Sequence, residues 1–224
     1  MLVKNWMTTS VITIKADDSM EHAIKLLKQH DIRMLPVMDK GKIVGIVTDR
    51  DIKRASASDA TSLEIHELHY LISKIKVKEI MSKDPITVPM DYTVEETAEV
   101  LLKHKISGMP VVDLYGQMVG IITKSDLFRI LISLTGAGKR GIQFGVEVED
   151  RPGSIKEITD TIRTYGGRLV SVLTSYDMAP AGFRRVYIRM YGIDRFKIHE
   201  LQESIAQKAN LLYMVDHKDK GRET

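Results

Sequence analysis

One segment of this chain is written twice. Val3-Lys4-Asn5-Trp6-Met7 returns as Val77-Lys78-Glu79-Ile80-Met81, a spacing of 74 residues. The same spacing pairs Ile12-Thr13 with Ile86-Thr87, Ser19 with Thr93, Glu21 with Glu95, Leu27 with Leu101, His30 with His104 and Pro36-Val37 with Pro110-Val111. It becomes 75 at Gly45 and Gly120, because the second copy holds one extra residue around Asp113-Leu114-Tyr115-Gly116. Self-similarity at a fixed period requires every element to be found twice, so it constrains the fold more than composition does. A one-residue change fits in a turn, where it does not flip the buried face of a strand.

Each copy reads as β-α-β-β-α, which places the chain in the α/β (α+β) class. A short extended segment, VITI or PITV, precedes a helix. Ser19 and Thr93 are good N-caps, and Thr93-Val94-Glu95-Glu96 has the form of a capping box. Ala23, Leu26 and Leu27 in the first copy, and Val94, Ala98, Leu101 and Leu102 in the second, recur at helical spacing. The strands MLPVM and MPVVD follow, then turns at Lys40-Gly41 and Tyr115-Gly116, then KIVGIVT and QMVGIIT. Second helices are expected to start near Asp51 and Asp126. One such unit alone exposes too much apolar sheet, and two facing copies cover it.

The third strand of each copy ends in chemistry. Residues 45–51 read GIVTDRD and residues 120–126 read GIITKSD. This doubled Gly-apolar-apolar-Thr-x-x-Asp pattern resembles a tandem pair of CBS domains over residues 1–134. A carboxylate in the first turn of a helix can simply cap backbone N–H groups. It can also accept two hydrogen bonds from the cis hydroxyls of a ribose. Thr48 and Thr123 offer a hydroxyl to sugar or phosphate, and Arg50 and Lys124 a cation to phosphate beside the helix N-terminus. Met34, Leu35 and Met109, with Ile12 or Ile86, are candidates to sandwich a base, unless they are plain core.

The resemblance implies adenosine ligands (AMP, ADP, ATP or S-adenosylmethionine) in the clefts between the repeats. Carried over by motif, Thr48 and Asp51 serve one site, and Thr123 and Asp126 the other. Thr13 and Thr87 match the segment that touches base or ribose. Ser107-Gly108 allows close approach of a ligand, whereas Arg33-Met34 is bulkier at the matching place, so the two sites are expected to differ.

Boundaries follow from the repeat. Residues 1–54 form the first CBS domain, 55–76 a helical linker rich in Leu and Ile, and 77–134 the second. Residues 135–141, with three glycines, read as a hinge. Beyond them the pattern changes to strand (142–148), turn, helix (with Ile155, Ile158 and Ile162), a Gly166-Gly167 stop, two strands (168–176 and 183–190), helix (196–209) and strand (211–215). The order β-α-β-β-α-β is ferredoxin-like.

Asp150-Arg151-Pro152-Gly153 followed by Ser154 resembles the signature loop of ACT domains, over 142–217. That resemblance implies an amino acid or other small effector at the loop and pairing between copies. Gly153 lets backbone approach a carboxylate at the helix N-terminus, or merely makes a tight turn. The charged run from Asp216 ends in a disordered tail, 218–224.

Function classes are narrowed by what is missing. The net charge is +3, which gives no nucleic-acid footprint. There is no cysteine, hence no disulfide or thiolate chemistry. No segment of about 18 apolar residues occurs, so a cytoplasmic protein without membrane contact is expected. His66 and His69 invite a metal reading, but the zincin spacing would require a histidine where Tyr70 stands. No Ser-His-Asp set, P-loop or GxGxxG is present. These residues point to a non-enzymatic sensor. The order of modules resembles the AcuB type of acetoin-utilization protein, a homodimer or larger homo-oligomer that signals to a separate partner protein. The alternative is a structural adaptor with vacant clefts that acts through oligomerisation.

Overall fold

The computed structural model describes residues 1–59 and 72–217. The central part of the expected linker, with His66, His69 and Tyr70, and the tail 218–224 lie outside the described residues. The chain divides into two compact units, Met1–Phe128 and Arg129–Thr224.

In the first unit both copies take the expected form. Copy one contains β1 (Ile14–Lys15), α1 (Met20–Gln29), β2 (Met34–Asp39), β3 (Lys42–Thr48) and α2 (Asp49–Asp59). Copy two contains α3 (Val77–Ile80), β4 (Ser82–Lys83), β5 (Val88–Pro89), α4 (Val94–Lys103), β6 (Gly108–Val112), β7 (Met118–Thr123) and α5 (Lys124–Leu134). One sheet runs β1-β2-β3-β4 and the other β5-β6-β7. Ser19 Oγ accepts from the His22 N–H, and Thr93 and Glu96 close the capping box that starts α4. His30 and His104 cap the ends of α1 and α4.

Several details differ from the sequence reading. The opening strands are only two residues long, so Thr13 and Thr87 lie just ahead of them. Helices α2 and α5 start at Asp49 and Lys124, ahead of the expected Asp51 and Asp126, because Thr48 and Thr123 act as N-caps. Leu102 is not on the buried face of α4. It is 70% exposed, and Thr97 is buried instead, its hydroxyl donating to the Thr93 carbonyl at 2.8 Å. That internal bond satisfies the hydroxyl and frees the position for the core.

The copies trade their leading segments. Val3 is fully buried with Val88, Leu101, Met109, Val111 and Ile122, all from copy two. Val77 is buried with Ile14, Met20, Leu35, Val37 and Val47, all from copy one. Thr8 bridges Ile121, and β4 pairs antiparallel with β3. Glycine is required at the two crossings: a Cβ on Gly45 or Gly120 would lie 2.5 Å from the sulfur of Met81 or Met7.

The second unit contains β8 (Ile142–Glu149), α6 (Ser154–Thr164), β9 (Arg168–Ser175), β10 (Phe183–Tyr191), α7 (Ile198–Ala206) and β11 (Asn210–Asp216). The sheet order is β11-β8-β10-β9, antiparallel throughout, which is the ferredoxin-like arrangement. Alternate residues of β8 (Ile142, Phe144, Val146, Val148) face a core with Ile158, Ile162, Leu201 and Ile205. Ile155 packs at its edge. The two compact units meet inside α5, after Phe128. Thr135, at the end of α5, is held: its carbonyl accepts from Arg189 Nε at 2.8 Å and from Ser171 Oγ at 3.0 Å. Asp216 is not part of a loose tail, since it closes β11 and pairs with Arg195 at 3.1 Å.

Candidate nucleotide clefts and effector loop

Strand β3 ends at Thr48, and the chain turns at once into α2. Thr48 Oγ1 accepts from the Asp51 N–H at 3.3 Å and donates to Asp51 Oδ2 at 2.6 Å. Asp51 Oδ2 also accepts from the Thr48 N–H at 3.0 Å. This is a capping box with aspartate at its far corner. Copy two repeats it: Thr123 N–H to Asp126 Oδ2 at 2.9 Å, Thr123 Oγ1 to Asp126 Oδ2 at 2.7 Å, and Asp126 N–H to Thr123 Oγ1 at 3.4 Å. Both carboxylates are only 7% exposed.

The simple cap therefore uses the same atoms that the sequence reading assigned to a ligand. One oxygen of each carboxylate serves the cap. The other oxygen of Asp51, Oδ1, accepts from Arg54 at 2.8 Å. The Arg54 side chain is 71% exposed and that of Asp51 only 9%, so the guanidinium reaches the shielded carboxylate from the solvent side. A diol reaching Oδ1 would replace Arg54 without opening the cap.

The other expected site residues fall into distinct places. Arg50 is exposed and Lys124 is half-buried, each in the first turn of its helix. Thr13 and Ser107 are exposed; Thr87 and Met34 are half-buried. The carbonyls of Arg33 and Ser107 accept from the Asp49 and Lys124 N–H groups, which ties the loop before each copy's β2 or β6 to its Thr–Asp box. Gly108 is buried, directly opposite Thr123 in the β6–β7 register. Leu35 and Met109 are fully buried within the two separate cores, so their side chains pack there and do not line an open cleft. Arg54 was missed by sequence reasoning, although its position three residues after Asp51 on a helix was a usable signal.

In the second unit the loop Asp150 to Gly153 leads into α6, with Gly153 at φ 91°. Arg151 is clamped: NH1 and NH2 donate to the two oxygens of Glu157 at 2.8 and 2.9 Å, and Nε donates to Glu149 at 3.0 Å. These carboxylates, Glu157 foremost, raise the Arg151 pKa, and Arg151 lowers that of Glu157. Ser154 is 4% exposed, donates to the Arg151 carbonyl and receives Arg184 NH2 at 3.3 Å. Beside the loop is a cavity of about 290 Å³ whose lining includes Glu147, Glu149, Arg151, Ser154, Glu157 and Lys208. The sequence reading named Arg151 and Ser154 but not the glutamates. Glu157 in the first turn after an arginine was the readable signal.

Among the described residues, no group of three His, Asp or Glu side chains is placed to hold a metal, and no helix is long and apolar enough to cross a membrane.

Comparison with known proteins decides the first unit. Residues 3–58 and 77–133 match the CBS domain family. The chain belongs to the CBS-domain family. It is 36% identical over 141 residues to a CBS domain-containing protein of Dictyostelium discoideum, covering 60% of this chain and 93% of that one. Inosine-5'-monophosphate dehydrogenase of Korarchaeum cryptofilum is 35% identical over 56% of this CBS-domain chain, but only 23% of the enzyme is matched.

Among solved structures, the CBS domain pair of protein MJ0100, in complex with 5'-methylthioadenosine and S-adenosyl-L-methionine, matches with TM-score 0.50 and 36% identity, covering 58% of this chain and 99% of that one. A Vibrio cholerae chain provisionally assigned as an acetoin utilization protein (AcuB) matches with TM-score 0.52 and 30% identity, covering 62% and 96%.

Proposed function

We propose that this chain is a non-catalytic regulatory sensor that binds an adenosine nucleotide at its Thr–Asp boxes. The observation that carries the reading is the duplicated box itself, with its shielded carboxylates at Asp51 and Asp126. In this reading each carboxylate accepts the ribose diol, and Thr48 and Thr123 hold sugar or phosphate. Arg50 and Lys124 offset phosphate charge. Thr13, Thr87, Met34, Ser107 and Gly108 line the base. The ligand class is supported by the MJ0100 CBS pair, which binds two adenosine compounds.

The second unit is read as an ACT-type module of an AcuB-type protein. Its Asp150 to Ser154 loop takes an amino-acid effector, with the ligand carboxylate at the backbone N–H groups beside Gly153 and the ammonium toward the glutamates of the cavity. The ferredoxin-like sheet order and the cavity at that loop support this. The protein acts as a homodimer or larger oligomer and passes its signal to a separate protein. Either ligand regulates only through a difference in affinity for two conformations.

A thermal-shift panel of ATP, ADP, AMP, S-adenosylmethionine and the common amino acids tests both sites. A ligand at 100 times its Kd stabilises by about 2.7 kcal/mol. An unchanged melting temperature with all four adenosine compounds would sink the sensor reading. It would favour the adaptor with vacant clefts, which the internal satisfaction of Asp51 by Thr48 and Arg54 also favours.

A further inference from the structure

Met34 and Gly108 are 74 residues apart and therefore stand at the same place in the two copies. Met34 lies opposite Thr48 in the β2–β3 register, and Gly108 opposite Thr123 in the β6–β7 register. The two positions also meet. A Cβ placed on Gly108 would lie 2.8 Å from the Met34 sulfur and 2.9 Å from the Thr123 Cγ2 methyl. The Met34 side chain thus leaves its own copy beside Thr48 and ends over Gly108, next to the threonine of the other box. The position that carries no side chain is filled by its twin. Nothing reciprocal reaches Thr48, because Gly108 has no side chain to send. The two boxes are alike to within 0.1 Å in their Thr–Asp distances, so the sites differ in what surrounds them, this thioether included.

We infer that Met34 is a specificity-determining plug: its thioether occupies the space over Gly108 and Thr123 that a ligand would need, so that each chain takes one adenosine ligand, at the Thr48–Asp51 box. The inference rests on the sensor reading and narrows it from two boxes to one. Methionine suits the role, since its unbranched, flexible side chain fills an irregular gap without fixing a shape. The φ of Gly108 lies outside the left-handed range, so an L-residue is allowed there, though its Cβ would still press on the Thr123 methyl at 2.9 Å and the Ile122 carbonyl oxygen at 3.0 Å.

The test is titration calorimetry on the full chain with ATP, AMP and S-adenosylmethionine as probes, folding being checked by circular dichroism. The wild type is expected to bind one probe molecule per chain, and Asp51→Asn to weaken that binding about tenfold or more by removing a charged acceptor. Met34→Gly is expected to bind two. The exchange variant Met34→Gly/Gly108→Met conserves core volume. It should return to one, now weakened about tenfold or more by a further Asp126→Asn. Met34→Ala serves if the glycine variant does not fold. Two molecules bound by the wild type, or one by folded Met34→Gly, would overturn the plug and leave the sensor reading standing. No binding of any probe by wild type and Met34→Gly would overturn both.

Discussion

Asp51 Oδ2 sits 2.6 Å from Thr48 Oγ1 and 3.0 Å from the Thr48 N–H, so a single carboxylate oxygen closes the cap of α2. Stability and ligand binding are consequently coupled through one side chain. Asp51→Ala should cost about 1 kcal/mol of stability, the usual loss for a removed cap partner, and also abolish adenylate binding at its box. Asp51→Asn keeps an acceptor for the cap and should lose binding with a smaller stability change. Urea denaturation alongside calorimetry separates the two effects. Equal stability loss in both variants would mean that the charge, rather than the cap, matters to the fold.

Gly45→Ala and Gly120→Ala should each destabilise by about 1–3 kcal/mol, the range for overpacking a filled core. The new methyl would meet the Met81 or Met7 sulfur at 2.5 Å and a backbone carbonyl at 2.8 or 3.0 Å. Trimming the methionine to alanine should restore only part of the loss, because the carbonyl remains. Full rescue, measured by thermal unfolding, would show the backbone contact to be harmless.

The Arg151 clamp should be sensitive to acid. Arg151 holds the Glu157 carboxyl below its ordinary value of 4.5. A lowered folded-state pKa stabilises at pH above the unfolded value, and that contribution disappears as pH falls through the folded one. The loop at Asp150 to Ser154 should therefore keep its order at neutral pH and loosen as pH falls below the ordinary glutamate value. Carbon-13 NMR titration of the Glu157 side chain checks this, with Arg151→Ala expected to raise its pKa toward the ordinary value.

Arg189 is 6% exposed and spends its donors on the Thr135 carbonyl and on Gln143 Oε1 at 2.9 Å. Arg189→Ala should destabilise the second unit by about 1.5–3 kcal/mol, the range for a hydrogen bond to a charged group. It should also speed amide exchange at Thr135, whose N–H bonds the Leu131 carbonyl. Unchanged exchange there would mean that the end of α5 is held by other contacts.

The strands, turns and caps of the first unit were legible because each was written twice. The doubled Thr-x-x-Asp motif likewise marked the candidate clefts. What the repeat could not reveal is which copy a segment belongs to in space. Val3-Lys4 and Val77-Lys78 align equally well whether each packs at home or across, since the pairing of equivalents is unchanged by the trade. Periodicity also placed Leu102 inside and overlooked Thr97, because a hydroxyl bonded to its own helix counts as polar in sequence and behaves as apolar in place. In the clefts, Leu35 and Met109 carried the right chemistry for a base, but strand alternation turned them toward the cores. The grip of Arg189 on Thr135 spans 54 residues, and no local pattern announces it.

The trade of leading segments means that neither half of the first unit is self-sufficient. Cut the chain between its copies, and each fragment carries the strip that packs on its sibling's sheet and lacks the one that packs on its own. Fragments so made would have to interlock with one another to become whole, as two separate subunits would, and the tether between them makes that partnership permanent and always in a ratio of one to one.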